Sequence, residues 1–211
     1  MEIVDLTHVI RPDMPVFPGD PTPILSPLAD LSRDGFREAA LEFGSHTGTH
    51  IDAPAHVFPN GKTLGDYSIG KFIGRAVVLH CRDFIGTVAL RDLNPIRREA
   101  DQADFLLLHT GWGRHWGRPS YLEGYPLLSD DLVQYLISSG KQGVGIDCIS
   151  VDAVDSRSLP IHRALLRAGV LPIENLTNLS RLPSGPFHFL ALPLSYEGAD
   201  GAPVRAAALL E

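Results

Sequence analysis

The chain reads as short apolar runs separated by polar segments punctuated with glycine and proline. Residues 75–81, 105–110 and 143–147 carry aliphatic side chains at consecutive positions, the pattern of strands buried on both faces. Between the last two runs, Leu132, Val133, Leu136 and Ile137 recur with a helical period. Ser129 precedes them as an N-cap and Gly140 follows as a stop. Strand, helix and strand in that order predict a crossover connection and parallel pairing. Residues 161–168 form a second short amphipathic helix closed by Gly169, and a strand over 170–173 leads directly into Glu174. Residues 2–10, 39–43, 187–192 and 204–209 complete the predicted strands, and 90–100, interrupted by Pro95, is a weak helix candidate. Six prolines from Pro12 to Pro27 exclude helix and central strand there and predict an ordered loop or lid. The stretch from Gly111 to Gly124, rich in glycine, arginine and aromatics, is predicted to be loop. Together these elements describe an α/β protein, a mixed sheet with flanking helices.

Composition narrows the picture. A chain of 211 residues, 44% hydrophobic and 20% charged, is long enough for one sizeable core, so a single domain over 1–211 is expected. A formal net charge of −7 argues against nucleic acid or an anionic membrane as partner. Cys81 and Cys148 both sit in apolar runs, which suits a reducing compartment better than a disulfide framework. The opening Met1-Glu-Ile-Val-Asp-Leu has no basic stretch followed by an apolar core, and no apolar run approaches the ~20 residues of a membrane span. A cytoplasmic location is therefore expected.

Residues 46–56 stand apart: His46-Thr-Gly-Thr-His50-Ile-Asp52-Ala-Pro54-Ala-His56. Imidazole and carboxylate are the ligands that Zn²⁺ or Mn²⁺ take. If residues 49–52 are extended, His50 and Asp52 point to one face. Gly48 allows a bend that brings His46 to the same point, and a turn begun at Pro54 would carry His56 back over it. The remaining histidines (His8, His80, His109, His115, His162 and His188) are scattered, and each alone reads as a satisfied core or surface residue. Asp147, Asp152 and Asp155 read first as turn and capping residues, with support of a nearby site as the alternative. A metal held by three protein ligands retains a position for water, which zinc can ionise near pH ~7. The competing reading is a metal that only staples the fold. Structural zinc sites are usually closed and often rich in thiolate, and neither cysteine lies near the motif.

This motif resembles the signature of the cyclase family of metal-dependent hydrolases, which includes bacterial kynurenine formamidase (arylformamidase) and isatin hydrolase. The resemblance extends to Phe17-Pro-Gly-Asp-Pro21, Leu159-Pro-Ile-His162, Pro172-Ile-Glu174-Asn-Leu, Ala191-Leu-Pro-Leu194 and Gly201-Ala-Pro-Val-Arg205. It implies a swivelling β/β/α fold, commonly oligomeric as a homodimer or homotetramer. It also implies that His162 and Glu174 complete a two-metal site, with Asp52 able to bridge both ions. In the family, the histidine matching His56 is a general acid–base and not a primary ligand. Kynurenine formamidases place a tryptophan of the substrate pocket where this chain has Phe17, which makes Phe17 a candidate wall for a small aromatic amide. N-formylkynurenine is the expected substrate, and isatin or another cyclic amide is the alternative.

Overall fold

The computed structural model describes residues 1–81 and 86–210, and its principal sheet closes on itself. The first half of the chain supplies β1 (Glu2–Asp5), β2 (Ile24–Ala29), α1 (Leu31–Asp34), β3 (Glu38–Glu42), β4 (His50–Asp52), β5 (Ile73–His80), β6 (Thr87–Val88) and α2 (Arg97–Gln102). The second half supplies β7 (Phe105–His109), β8 (Leu127–Leu128), α3 (Asp130–Ser138), β9 (Gly143–Ile146), α4 (Pro160–Arg167), β10 (Leu171–Glu174), β11 (Phe187–Pro193) and β12 (Gly201–Leu210). Strands β5, β7, β9 and β10 run parallel, as the crossover pattern requires. The order β12–β11–β5–β7–β9–β10–β4 returns to β12, because Gly201, Ala202 and Pro203 pair with β4 while Val204 to Leu209 pair with β11. The fold is thus a mixed α/β barrel of seven described strands, with β1 antiparallel to the end of β12 outside the ring.

Strands β5 and β7 carry the consecutive apolar residues because both of their faces are covered. Ala76, Val78, Phe105 and Leu107 point into the barrel with Ile173, Phe189 and Ala206. Val77, Leu79, Leu106 and Leu108 point outward, onto Leu132 and Leu136 of α3 and Leu165 of α4. The interior is narrow. Phe105 and Phe189 meet edge to face at 5.2 Å, and the positions opposite Phe105 and Leu107 on β9 are Gly143 and Gly145. A Cβ on Gly143 would lie 2.7 Å from the Leu171 carbonyl oxygen and 3.0 Å from the Phe105 ring. Glycine there gives room to the rings rather than flexibility to the strand.

Some boundaries differ from the sequence pattern. The strand predicted over 2–10 is only Glu2–Asp5. The proline-rich loop ends earlier than Pro27, since β2 starts at Ile24 and pairs with β3 around a register shift between Pro27 and Ala29. A two-stranded ribbon has only edges, where the missing proline N–H costs no ladder bond. No residue of β2, α1 or β3 is buried. The 90–100 segment is a 3₁₀ turn (Leu90–Ile96) running into α2, and the loop beyond Gly111 contains two more such turns. Cys81 and Cys148 are buried and unpaired with each other, and no helix among the described residues is long and apolar enough to cross a membrane.

Candidate active site

Sheet register assembles the site. Strand β4 lies between β10 and β12, which sets His50 opposite Glu174 and Asp52 opposite Gly201. His50 and Asp52 share a face two residues apart, as an extended strand dictates. Gly48 turns the chain at φ 66, bringing His46 over the same face. The His46 ring lies against the Gly201 backbone so closely that a Cβ there would collide with it. Pro54–His56 forms the anticipated 3₁₀ turn, closed by the His56 N–H donating to the Ala53 carbonyl at 2.9 Å. The His56 ring ends 4.0 Å from that of His46 and 5.8 Å from that of His162. His162 comes from the first turn of α4 and is buried.

Two triads share one carboxylate. His46, His50 and Asp52 form one potential ligand group and Asp52, His162 and Glu174 another, while His46, His56 and Asp200 form a third, less buried group beside them. Asp52 Oδ1 lies 2.6 Å from His46 Nδ1 and 3.3 Å from His50 Nε2, while Oδ2 lies 3.2 Å from His162 Nε2. Glu174 lies 3.4 Å from His50 and 3.3 Å from His162 through its two oxygens. Tautomers are set from behind. His50 Nδ1 donates to the Gly48 carbonyl at 2.8 Å, and His162 Nδ1 donates to Asp152 at 2.8 Å. Each Nε2 therefore faces carboxylate oxygens, with His162 Nε2 3.2 Å from the buried Asp52 Oδ2. Imidazole nitrogens facing buried carboxylate oxygens require a proton or a metal cation between them, and this donor set suits a borderline divalent cation.

The electrostatics agree. Burial opposes charge on His46 and His50, yet Asp52 overcomes it and raises them to about 9 and about 10. Burial likewise works against ionised Asp52, but the neighbouring histidines hold it well below the ordinary carboxylate value. His56 behaves oppositely. Burial and the charge on His46 push it below its ordinary 6.5, so its neutral form is favoured.

These residues form the floor of a cavity of about 630 Å³. Phe17 forms part of its wall, with Ile149, Val154 and Leu159. The structure thus brings His46, His50, Asp52, His56, His162, Glu174 and Phe17 around one space. Sequence reasoning missed Asp200, whose Oδ2 lies 3.0 Å from His46 Nε2 and 3.8 Å from His56 Nδ1. It ends the connection between β11 and β12, and only its place just before the Gly201-Ala-Pro segment hints at it. Asp152 does both jobs considered for it: it caps α4 through the Ile161 and His162 N–H groups and holds the His162 ring. His115 lies apart, against Ser120. Asp147 serves a turn, accepting from the Thr110 and Gly111 N–H groups.

A closed mixed sheet with a buried imidazole and carboxylate floor defines the class as an α/β protein with side chains that could hold a divalent metal. The chain belongs to the Cyclase family, whose family model matches residues 4–153. It is 34% identical over 215 residues to a kynurenine formamidase of Geobacillus thermodenitrificans, covering 97% of this chain and 95% of the relative. Isatin hydrolase A from Labrenzia aggregata superposes with a TM-score of 0.87 at 25% identity, covering 98% of this chain and 93% of that one. A structure described as a potential metal-dependent hydrolase with cyclase activity gives 0.79 at 26% identity, covering 98% and 96%.

Proposed function

We propose that this protein is a metal-dependent hydrolase of a non-peptide C–N bond, converting N-formyl-L-kynurenine to L-kynurenine and formate. The observation that carries the reading is the junction of two ligand triads at Asp52, on the floor of a cavity walled by Phe17 and aliphatic side chains. The full-length similarity to a kynurenine formamidase supports the substrate. His46, His50 and Asp52 would hold one cation, and Asp52, His162 and Glu174 a second, Zn²⁺ or Mn²⁺ in each case. Bound there, metal supplies Lewis acidity toward the amide carbonyl and a water more acidic than bulk water. His56 lies outside the two triads that meet at Asp52, in the less buried group with His46 and Asp200, and its neutral form is favoured. It takes a proton from the attacking water and returns it to the leaving aryl nitrogen. Asp200, reaching both His46 and His56, orients the His56 ring and favours its charged form during the transfer. Phe17 packs the aryl ring. The 211 residues act as one domain of the swivelling β/β/α kind, assembled as a homodimer or homotetramer. Free, buried Cys81 and Cys148 suit a cytoplasmic setting.

A second reading, hydrolysis of isatin or a related lactam, is favoured by the close superposition with isatin hydrolase A. Assay of protein reconstituted with Zn²⁺ or Mn²⁺ separates the two. The expected result is a higher kcat/KM on N-formyl-L-kynurenine than on isatin, lost with chelator. Preference for isatin selects the second reading. Absence of turnover across an amide panel, with unfolding when metal is removed, would assign the metal a purely structural role.

A further inference from the structure

We propose that Arg157 reads a carboxylate on the substrate, so that the site is built for aryl amides bearing an α-amino-acid tail rather than for neutral lactams. The inference rests on the hydrolase reading above and specifies its substrate class. Arg157 is the one lysine or arginine that lines the cavity over the metal-ligand cluster, among the described residues. Five other arginines of the chain are engaged away from the cavity. Arg33, Arg97, Arg181 and Arg205 pair with Asp34, Asp101, Glu2 and Asp5, and Arg163 donates to the Ser158 and Val57 carbonyls. Arg157 has no ion pair or hydrogen bond among the described residues, and its side chain is exposed at the cavity rim.

The segment that carries Arg157 is braced rather than loose. The Ser156 N–H donates to the Ala153 carbonyl at 2.9 Å, and Arg163 holds the Ser158 carbonyl at 3.0 Å. Leu159 adopts φ 47, a conformation that non-glycine residues keep only where the surroundings impose it. Just beyond it, Asp152 fixes the start of α4 through the Ile161 and His162 N–H groups. Arg157 is thereby held five residues from His162, a member of the ligand cluster.

The rim is complementary to a zwitterion. Asp20 and Asp155 also line the cavity and likewise have no ion-pair partner among the described residues. N-formyl-L-kynurenine has an aryl formamide at one end and an α-carboxylate with an α-ammonium at the other. With the formamide over the ligand cluster and the ring against Phe17, the tail faces the rim charges. A guanidinium fork is matched to a carboxylate in geometry as well as charge. Isatin has neither tail charge.

The test compares N-formyl-L-kynurenine with formanilide, which has the same scissile bond and no tail, on metal-loaded protein. Arg157→Gln should lower the ratio of their kcat/KM values by about tenfold, the size of one hydrogen-bonded charge contact, and Arg157→Lys should restore part of it. An unchanged ratio overturns the proposal. If the wild type hydrolyses neither compound, the formamidase reading fails by itself. The subsite is then read without turnover, by calorimetric binding of L-kynurenine against 2-aminoacetophenone. A wild-type preference for L-kynurenine that Arg157→Gln erases supports the carboxylate site, and equal binding of both compounds by the wild type overturns it. Metal content and circular dichroism of each variant show that the fold is intact.

Discussion

His56 and Asp52 lie four residues apart in the chain but differ in what they touch. Asp52 is buried and has three imidazole nitrogens within 3.3 Å, whereas the His56 ring is partly exposed and 3.8 Å from its nearest carboxylate. On the proposed mechanism Asp52 ligates and His56 transfers the proton, and because His56 also forms a possible ligand group with His46 and Asp200, substitution is what separates the roles. His56→Ala is expected to retain metal by elemental analysis while kcat falls ~10²–10⁴-fold, the usual contribution of a positioned acid–base. Asp52→Ala should lose metal and activity together. Metal lost from His56→Ala would make it a ligand, and an unchanged kcat would move proton transfer to another group. Protonation makes a second prediction. With His46 raised to about 9 and His50 to about 10, both carry protons at neutral pH in the metal-free chain. Cation binding must displace those protons, so affinity should rise with pH up to the 9–10 range and weaken on acidification. Calorimetry in buffers of differing ionisation enthalpy should detect proton release at pH 7. Binding without it, equally tight at pH 6 and pH 8, would show that these histidines are not displaced from their protonated state by metal.

Among the elements, the parallel strands and the helices after them were the most legible, because double-sided burial and capping leave local marks. The runs at 105–110 and 143–147 became β7 and β9 within a residue, and Ser129 caps α3 by accepting from the Leu132 N–H. The ribbon β2–β3 was half legible, because proline excludes central strands but not edges. The sequence pattern predicts its strand 39–43 but not the pairing of that strand with a proline-containing partner. Gly143 lets one strand approach another. Gly143→Ala would press a methyl group against the Leu171 carbonyl and the Ile173 side chain. Overpacking of this kind costs about 1–3 kcal/mol. For a chain of this length each kcal/mol lowers Tm by roughly 2–4 °C, so the melting curve should shift down by several degrees. Unchanged stability would mean that the β9–β10 approach relaxes freely.

For the molecule as a whole, the eleven-residue motif was readable because its geometry is local, but closure of the barrel was not. His162 and Glu174 could be singled out only through family resemblance. Asp200 reaches His46 across 154 residues because β12 pairs with β4, a contact between chain-distant strands. The fold leaves an apolar surface uncovered, which bears on assembly beyond one chain. Ile24, Leu28, Leu31, Phe36 and Leu41, on or next to the β2–β3 ribbon, are each at least half exposed, and neither strand has a buried residue. An isolated two-stranded ribbon is marginal in water, and exposed apolar side chains gathered on one are a candidate interface. A second copy of this chain covering the ribbon would meet both requirements. Light scattering on the eluting protein should therefore give a dimer or tetramer at micromolar concentration. Leu28→Glu combined with Leu41→Lys should shift it toward monomer while the barrel keeps its far-ultraviolet dichroism. A wild type that is monomeric throughout, or a double variant that stays assembled, would exclude the ribbon as the subunit contact.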